Sequence, residues 1–242
     1  MIFENKIALV TGGNSGIGSA IAQGLARDGA RVVMLGRNAE TLNKQIAESD
    51  DAYRNRLSSV IADVRNETEV AKAVDTIIAE FGRIDFLINA AGVSQRQPQS
   101  VQDIPVDEWH RIIDTNLHGT FYCCHKVLPL MRQAGSGYII NILSTGAYRT
   151  GGNNSLYGAS KFGTRALTES MIEENRRSGI RISSISPGPV NTNIWSHKIK
   201  HVTDEDRETM LKPEEIAGIA LFLLSQPPNV HIDNITVTPW LR

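Results

Sequence analysis

Tyr157 and Lys161 stand four positions apart in Tyr157-Gly158-Ala159-Ser160-Lys161, a spacing that puts both side chains on one face of a helix. A free phenol ionises near pH 10, so drawing it close to neutrality takes about 4 kcal/mol of preferential stabilisation of the phenolate, at about 1.36 kcal/mol per unit. An ammonium about 4 Å away in an effective dielectric of roughly 20 supplies about that much. The pair is therefore a candidate acid/base working at neutral pH. Ser144 and Asn116 lie upstream and complete a proton-transfer set with a hydroxyl and an amide.

The same spacing recurs in Tyr122-Cys123-Cys124-His125-Lys126, and context separates the two. Tyr157 follows the strand-like run Gly137 to Ile142, then Leu143, Ser144 and a loop of small and polar residues. Tyr122 sits inside a long helical stretch with Trp109, Ile112, Ile113, Leu117 and Phe121. Ligands of open parallel sheets bind at the carboxyl ends of strands, which favours Tyr157 for chemistry and makes Tyr122 a packed or interface residue.

The elements that must position this set are read from short apolar runs alternating with helical patterns. Strands are expected at Ile7 to Thr11, Arg31 to Leu35, Leu57 to Ala62, Ile84 to Ile88, Gly137 to Ile142, Ile180 to Ile185 and Ile232 to Val237. Between them Val70, Val74, Ile77, Ile78 and Phe81 recur at helical spacing, as do Ile216, Ala220 and Leu223. Pro213 with Glu214 and Glu215 suits the first turn of the last helix. Strands alternating with helices imply a doubly wound, Rossmann-type α/β fold: one mostly parallel, seven-stranded sheet with helices on both faces. No Pro/Gly/Ser-rich linker and no repeat interrupts the pattern, so residues 1–242 are expected to form a single domain.

Composition agrees. The chain has 242 residues, 41% hydrophobic and 21% charged, enough for a sizeable core. Its net charge of −1 and the lack of a basic stripe argue against nucleic acid as partner. His197-Lys198-Ile199-Lys200-His201 is the nearest approach to one and reads as a solvated loop. Adjacent Cys123 and Cys124 suit neither a disulfide nor a metal site and fit a reducing compartment. Without a signal-peptide pattern or an apolar run of about 20 residues, a cytoplasmic protein is expected.

The first strand runs into Thr11-Gly12-Gly13-Asn14-Ser15-Gly16-Ile17-Gly18, followed by Ala20, Ile21, Ala22 and Leu25 at helical spacing. A strand, a glycine turn and a helix make a phosphate-binding corner, because absent side chains let the backbone approach a pyrophosphate and the helix N-terminus offers unpaired N–H groups. At the end of the second strand, about 20 residues on, an NAD site would carry an acid for the ribose hydroxyls. Here the chain reads Leu35-Gly36-Arg37-Asn38: no carboxylate repels a 2′-phosphate, and Arg37 offers a planar cation to bind one. The expected cofactor is NADP(H) in preference to NAD(H).

Gly12, Gly16 and Gly18 have the spacing of the short-chain dehydrogenase/reductase superfamily, and Asp63-Val64, Asn89-Ala90-Ala91-Gly92, Asn116, Ser144, Tyr157, Lys161 and Pro187-Gly188-Pro189-Val190-Asn191-Thr192 follow in its order. The chain resembles that superfamily over nearly its whole length. The resemblance implies an oxidoreductase that moves a hydride between nicotinamide and a carbonyl or secondary alcohol. Tyr157 would be the proton donor or base, and Ser144 would hydrogen-bond the substrate oxygen. Lys161 would lower the tyrosine pKa and hold the nicotinamide ribose, while Asn116 would position a water that relays protons from Lys161. Cofactor contacts would come from Gly12, Asn14, Ser15, Gly16, Ile17, Gly18, Arg37, Asn38, Asp63, Val64, Ala90 and Gly92. Tyr157, Lys161, Pro187, Gly188, Val190 and Thr192 would complete them. Asn89 is read both as part of that wall and as a tie between strands. No metal is implied.

The end of the chain, Asn234 to Arg242, departs from the superfamily's glycine-containing tail and resembles NADP-dependent enzymes acting on serine-like and other small 3-hydroxy acids. A homo-oligomer, dimer or tetramer, is expected through the helices around Trp109 to Arg132 and Tyr157 to Arg177, whereas the tail puts one tetramer interface in doubt. Substrate contacts should lie in Val93 to Gln97, Thr145 to Leu156 and a substrate loop, Asn191 to Leu211, whose short polar character suits a small polar carbonyl. Alternatives are a 3-oxoacyl thioester as substrate and an NADP(H)-sensing protein that has lost catalysis. The complete catalytic set argues against a sensor, and the short chain argues against epimerase or dehydratase relatives.

Overall fold

The computed structural model describes residues 1–199 and 201–240, so Lys200, Leu241 and Arg242 lie outside the described residues. One sheet takes in all seven expected strands: β1 (Ile7–Thr11), β2 (Arg31–Gly36), β3 (Leu57–Ile61), β4 (Phe86–Asn89), β5 (Gly137–Ile142), β6 (Ile180–Pro187) and β7 (Asn234–Val237). Their spatial order is β3-β2-β1-β4-β5-β6-β7 and every pairing is parallel. Two strand starts shift inward. β4 begins at Phe86 because Asp85 serves as a clasp: its backbone bonds Ile7 and Tyr138, and its buried carboxylate accepts the Ile7 amide at 2.9 Å. β7 begins at Asn234, where Ser184 first finds its carbonyl partner in Asp233.

Among the described residues there are eight α-helices: α1 (Gly16–Arg27), α2 (Ala39–Ala47), α3 (Glu67–Phe81), α4 (Val106–Ile113), α5 (Gly119–Ala134), α6 (Ser155–Asn175), α7 (Asp204–Glu208) and α8 (Pro213–Ser225). Side chains alternate across the pleat of β1. Ala8 and Val10 join one core with Ile21 and Leu25 of α1 and Ile216 and Leu223 of α8. Ile7 and Leu9 join a second core with Val70 and Ile77 of α3 and Val127 of α5. Burial on both faces explains why these strands read as continuous apolar runs.

Helix ends follow local chemistry. Asn66 caps α3 by accepting from the amides of Thr68 and Glu69, and α3 stops at Gly82, whose φ of 76° is left-handed. The stretch expected as one helix around Trp109 to Phe121 is instead α4 and α5 joined by a π-helical turn, Asp114–His118. The turn brings Asn116 to 1% exposure, beneath the carboxyl ends of the strands. The strand order reverses between β1 and β4, and there the helices on the two faces diverge and a crevice opens. Among the described residues no helix is long and apolar enough to cross a membrane.

Candidate active site

β1 ends at Thr11, whose hydroxyl accepts from the amides of both Ala90 and Ala91 at 3.1 Å and so locks the exit of β4 to the glycine turn. A side chain at Gly12 would stand 2.9 Å from the Ala91 backbone, and one at Gly18 would stand 2.4 Å from the Gly12 carbonyl oxygen. Gly12 and Gly16 have φ of 66° and 54°, a region L side chains rarely adopt. The turn thus holds backbone where backbone alone fits. Ser15 precedes α1 without a capping hydrogen bond from its side chain, so the first amides of α1 face the crevice.

The crevice is a cleft of about 540 Å³. Of the residues expected from sequence, Gly12, Asn14, Ser15, Gly16, Ile17, Gly18, Arg37, Asp63, Val64, Ala90 and Gly92 line one length of it. Ser144, Tyr157, Lys161, Pro187, Gly188, Val190 and Thr192 line the other. Three expected residues do not reach its wall. Asn38 turns away to cap α2, its Oδ1 accepting the Thr41 amide at 3.0 Å. Asn89 is buried and donates to Asn141 Oδ1 at 2.8 Å, while Asn141 donates to Thr168 at 2.9 Å, so it ties β4 to β5 and α6. This is the strand-tie reading, not the cofactor-wall one.

Asn116 is the third. Its Oδ1 accepts the Val93 amide at 2.8 Å, and its Nδ2 donates to the Val93 carbonyl at 2.9 Å and to Ser160 Oγ at 3.0 Å. Both Nδ2 hydrogens and one lone pair of Oδ1 are engaged in clasping the strand exit to α6. It still adjoins the site, because a Cβ built on Gly92 would lie 3.5 Å from Asn116 Oδ1 and 3.8 Å from Lys161 Nζ.

Tyr157 lies in the first turn of α6, with Lys161 one turn further along. Lys161 is 6% exposed, and its Nζ donates to the Ile142 carbonyl at 3.0 Å. It stands 5.9 Å from the centre of the Tyr157 ring. Burial pulls the Lys161 ammonium down from 10.5 to about 8. Burial also pushes the Tyr157 phenol up from its ordinary value, and a hydrogen-bonding interaction with Ser144 pulls it only part of the way back. The expected depression of the phenol by Lys161 is therefore not what this geometry gives. Lys161 is buried and Tyr157 half-buried in the cleft wall, and the ammonium spends its hydrogen bond on a carbonyl. Ser144 Oγ accepts the Gly146 amide at 3.1 Å, which leaves the hydroxyl proton free to be donated toward the phenol or a ligand oxygen.

At the far end of the cleft, Arg65 grips Asp63 with Nε at 3.1 and 2.9 Å from the two oxygens and Nη2 at 2.6 Å. Burial would raise this carboxyl, but the Arg65 bonds outweigh it and hold Asp63 below the usual carboxylate range. Arg37 lies beside it, Nη1 to Oδ2 at 3.9 Å, with 61% of its side chain exposed. Arg65 carries no signal of its own in the sequence; only the fold shows what it grips.

Thr192, Trp195 and His197 line the other end. The indole of Trp195 donates to the Val190 carbonyl at 2.7 Å, and Lys198 Nζ donates to Ser94 Oγ at 3.0 Å and the Gln95 carbonyl at 2.7 Å. Lys198, expected to be a cation of a solvated loop, is thus tied to the segment after β4, and burial lowers its ammonium. Buried Gln95 continues this tie, accepting the Tyr157 amide at 3.4 Å and donating to the Asn153 carbonyl at 2.8 Å. Tyr122 packs away from the cleft against the rings of His118 and Phe121, at 6.1 and 5.7 Å. Buried Cys123 and Cys124 are free thiols.

Residues 6–203 match the family described as short chain dehydrogenase. An "uncharacterized oxidoreductase" of Staphylococcus saprophyticus is 35% identical over 236 residues, covering 98% of each chain. A metagenomic short-chain oxidoreductase solved in complex with NADP superposes with a TM-score of 0.84 at 28% identity, covering 100% of each chain. A 3-ketoacyl-(acyl-carrier-protein) reductase from Brucella melitensis, complexed with NADH, superposes with a TM-score of 0.86 at 28% identity, covering 98% of each chain.

Proposed function

Because the chain belongs to the short-chain dehydrogenase family and is an oxidoreductase, we propose that it reduces or oxidises a small polar carbonyl or secondary alcohol with NADP(H), using Tyr157 as the acid/base. The observation that carries this reading is continuity: the glycine turn and the Ser144, Tyr157 and Lys161 side chains line one cleft. The backbone cradle at Gly12 and Gly18 leaves no space for side chains, as a site for pyrophosphate requires, and the uncapped N-terminus of α1 supplies its N–H donors. Arg37 at the adenosine end favours a 2′-phosphate, and Asp63, neutralised by Arg65, does not oppose one. When bound, the dinucleotide supplies the hydride.

The protein's own groups manage the proton and the charge. In reduction, negative charge develops on the substrate oxygen, and Ser144, oriented by the Gly146 amide, donates to it. Tyr157, kept protonated by burial, is the acid that neutralises the same oxygen. Lys161, anchored on Ile142, brings positive charge to the phenol's side of the cleft and stabilises the phenolate left behind. Asn116 acts as a positioning residue, holding Val93 and Ser160 so that the Gly92 wall and α6 stay in register. The exposed rings of Trp109, Phe121 and Phe162, each about 40% exposed, support a homo-oligomer formed through α4, α5 and α6.

The test is NADPH consumption over a panel of ketones, aldehydes, oxo acids and acyl thioesters, with Tyr157→Phe beside the wild type. The variant should bind NADPH with wild-type affinity while turnover falls by about 10²- to 10⁴-fold, the worth of a positioned general acid. A variant that keeps most of its turnover refutes Tyr157 as the acid. Tight NADPH binding without turnover of any carbonyl would mark a cofactor sensor instead.

A further inference from the structure

Arg149 is the charged group of the cleft that this account leaves without work. It follows the tight turn Thr145–Ala147 directly after Ser144, and its amide donates to the Thr145 carbonyl at 3.3 Å, so its backbone is fixed on the shoulder of the proposed acid/base site. Arg149 is exposed to solvent and lines the same cleft as Ser144, Tyr157 and Lys161. Among the described residues its guanidinium has neither an ion pair nor a hydrogen bond. Its neighbour Tyr148 is engaged elsewhere, under the guanidinium of Arg165 at 4.1 Å.

Charge is unbalanced along the cleft. Among the described residues lining it, Asp63 is the one carboxylate, and it sits at the adenosine end already gripped by Arg65. Arg37 shares that acid at 3.9 Å. At the Ser144 end, Lys161 is served by the Ile142 carbonyl. Arg149 remains as a planar cation with two parallel N–H edges and no acid on its side of the site. Asn154, also on the wall, adds an amide whose side chain makes no bond to the protein among the described residues.

We infer that the substrate carries a carboxylate, that Arg149 receives it across a fork-shaped pair of hydrogen bonds, and that the substrates are short oxo acids and their hydroxy-acid counterparts. The inference rests on the oxidoreductase reading and adds the substrate class to it. In reduction, the carbonyl carbon of the oxo acid takes the hydride of the reduced dinucleotide and its oxygen takes the Tyr157 proton, which solvent replaces. The products are the hydroxy acid and the oxidised cofactor, and the carboxylate passes through unchanged. A guanidinium suits this duty better than an ammonium, because its fork matches the two carboxylate oxygens and fixes the direction of the chain between acid and carbonyl.

The test compares acetoacetate and 4-oxobutanoate with their methyl esters in wild type, Arg149→Gln and Arg149→Lys. Calorimetry of butyrate binding to the NADPH complex adds an arm that needs no turnover. The wild type should prefer each acid over its ester. Arg149→Gln should collapse that ratio of kcat/KM by roughly 10- to 100-fold, the worth of a charge-assisted bidentate contact. Arg149→Lys should recover part of it, and butyrate binding should be lost with Gln. A merely structural arginine would lower acid and ester together and leave the ratio unchanged, which overturns the inference. So does a wild type that reduces neutral carbonyls or dihydroxyacetone phosphate but neither reduces the oxo acids nor binds butyrate; the proposed function then stands. Arg149-dependent butyrate binding with no reduction of any carbonyl keeps the carboxylate site and removes the proposed function.

Discussion

Replacing Lys161 with Met should make the protein inactive and, at neutral pH, no less stable. The ammonium is buried and its pKa falls from 10.5 to about 8. A base whose folded pKa lies below its unfolded value burdens the folded state most below the folded pKa, and the burden lifts as pH rises toward the unfolded one. A drop of that size corresponds to about 3 kcal/mol at about 1.36 kcal/mol per unit. Met keeps the length and apolar stem of Lys and removes the charge. It also leaves the Ile142 carbonyl, which accepts from Nζ at 3.0 Å, without that donor, a cost of about 1–3 kcal/mol. The two effects leave the variant between equal and about 2 kcal/mol more stable at pH 7. The pH dependence is sharper still: from pH 7 to 10 the wild type should gain about 2–3 kcal/mol on the variant, because only the wild type sheds the burden. Urea unfolding followed by tryptophan fluorescence, run on both proteins in the same buffers, measures the difference and cancels groups they share. Parallel stability curves across this range would refute a depressed Lys161. A variant more than about 3 kcal/mol less stable at pH 7 would refute the accounting of burial against one hydrogen bond.

Two further perturbations address cofactor and assembly. Arg37→Asp should reverse the ratio of NADPH to NADH efficiency by at least about 10- to 100-fold, since it removes a cation from the 2′-phosphate and offers a carboxylate to the ribose hydroxyls; steady-state kinetics with both cofactors decide it, and an unchanged ratio would sink the assignment. Its thermal midpoint should barely move, because the Arg37 side chain is 61% exposed and its contact with Asp63 is 3.9 Å long. Light scattering should find a homo-oligomer, and Phe121→Asp, placing a charge where a 42% exposed ring now stands on α5, should lower its mass; a monomeric wild type would rule the assembly out.

What the sequence made legible was whatever depends on local pattern. The seven strands came from apolar runs, the glycine turn from its spacing, and the Tyr157–Lys161 pair from helical periodicity. What it hid was direction. Asn38, Asn89 and Asn116 sit where a family pattern puts them, yet each side chain turns to a backbone or side-chain partner off the cleft wall. An amide can cap, tie or bind with equal chemistry, and only neighbours distant in sequence decide which: Asn141 is 52 residues from Asn89, and Ser160 is 44 from Asn116. The π-helical turn was hidden for a related reason, since one extra residue per turn leaves the hydrophobic stripe of α4 and α5 nearly continuous. Lys198 read as a loop cation because its two acceptors lie about a hundred residues earlier, on the segment after β4.

The direction of the two pKa shifts gives the acid/base pair a different logic from the one its spacing suggests. A lysine that simply depressed the phenol would leave the site ionised and the tyrosine poor as an acid. Here burial acts on both groups and favours neutral forms of each, raising Tyr157 and lowering Lys161. In the proposed reaction such a pair would be poised rather than discharged: the protonated phenol would give its proton to a developing alkoxide, and the Lys161 ammonium, held on the Ile142 carbonyl, would stabilise the resulting phenolate. On the proposed mechanism, the desolvation that burdens the folded state would also favour proton transfer from Tyr157, which is why Lys161→Met should trade all of the activity for none of the stability.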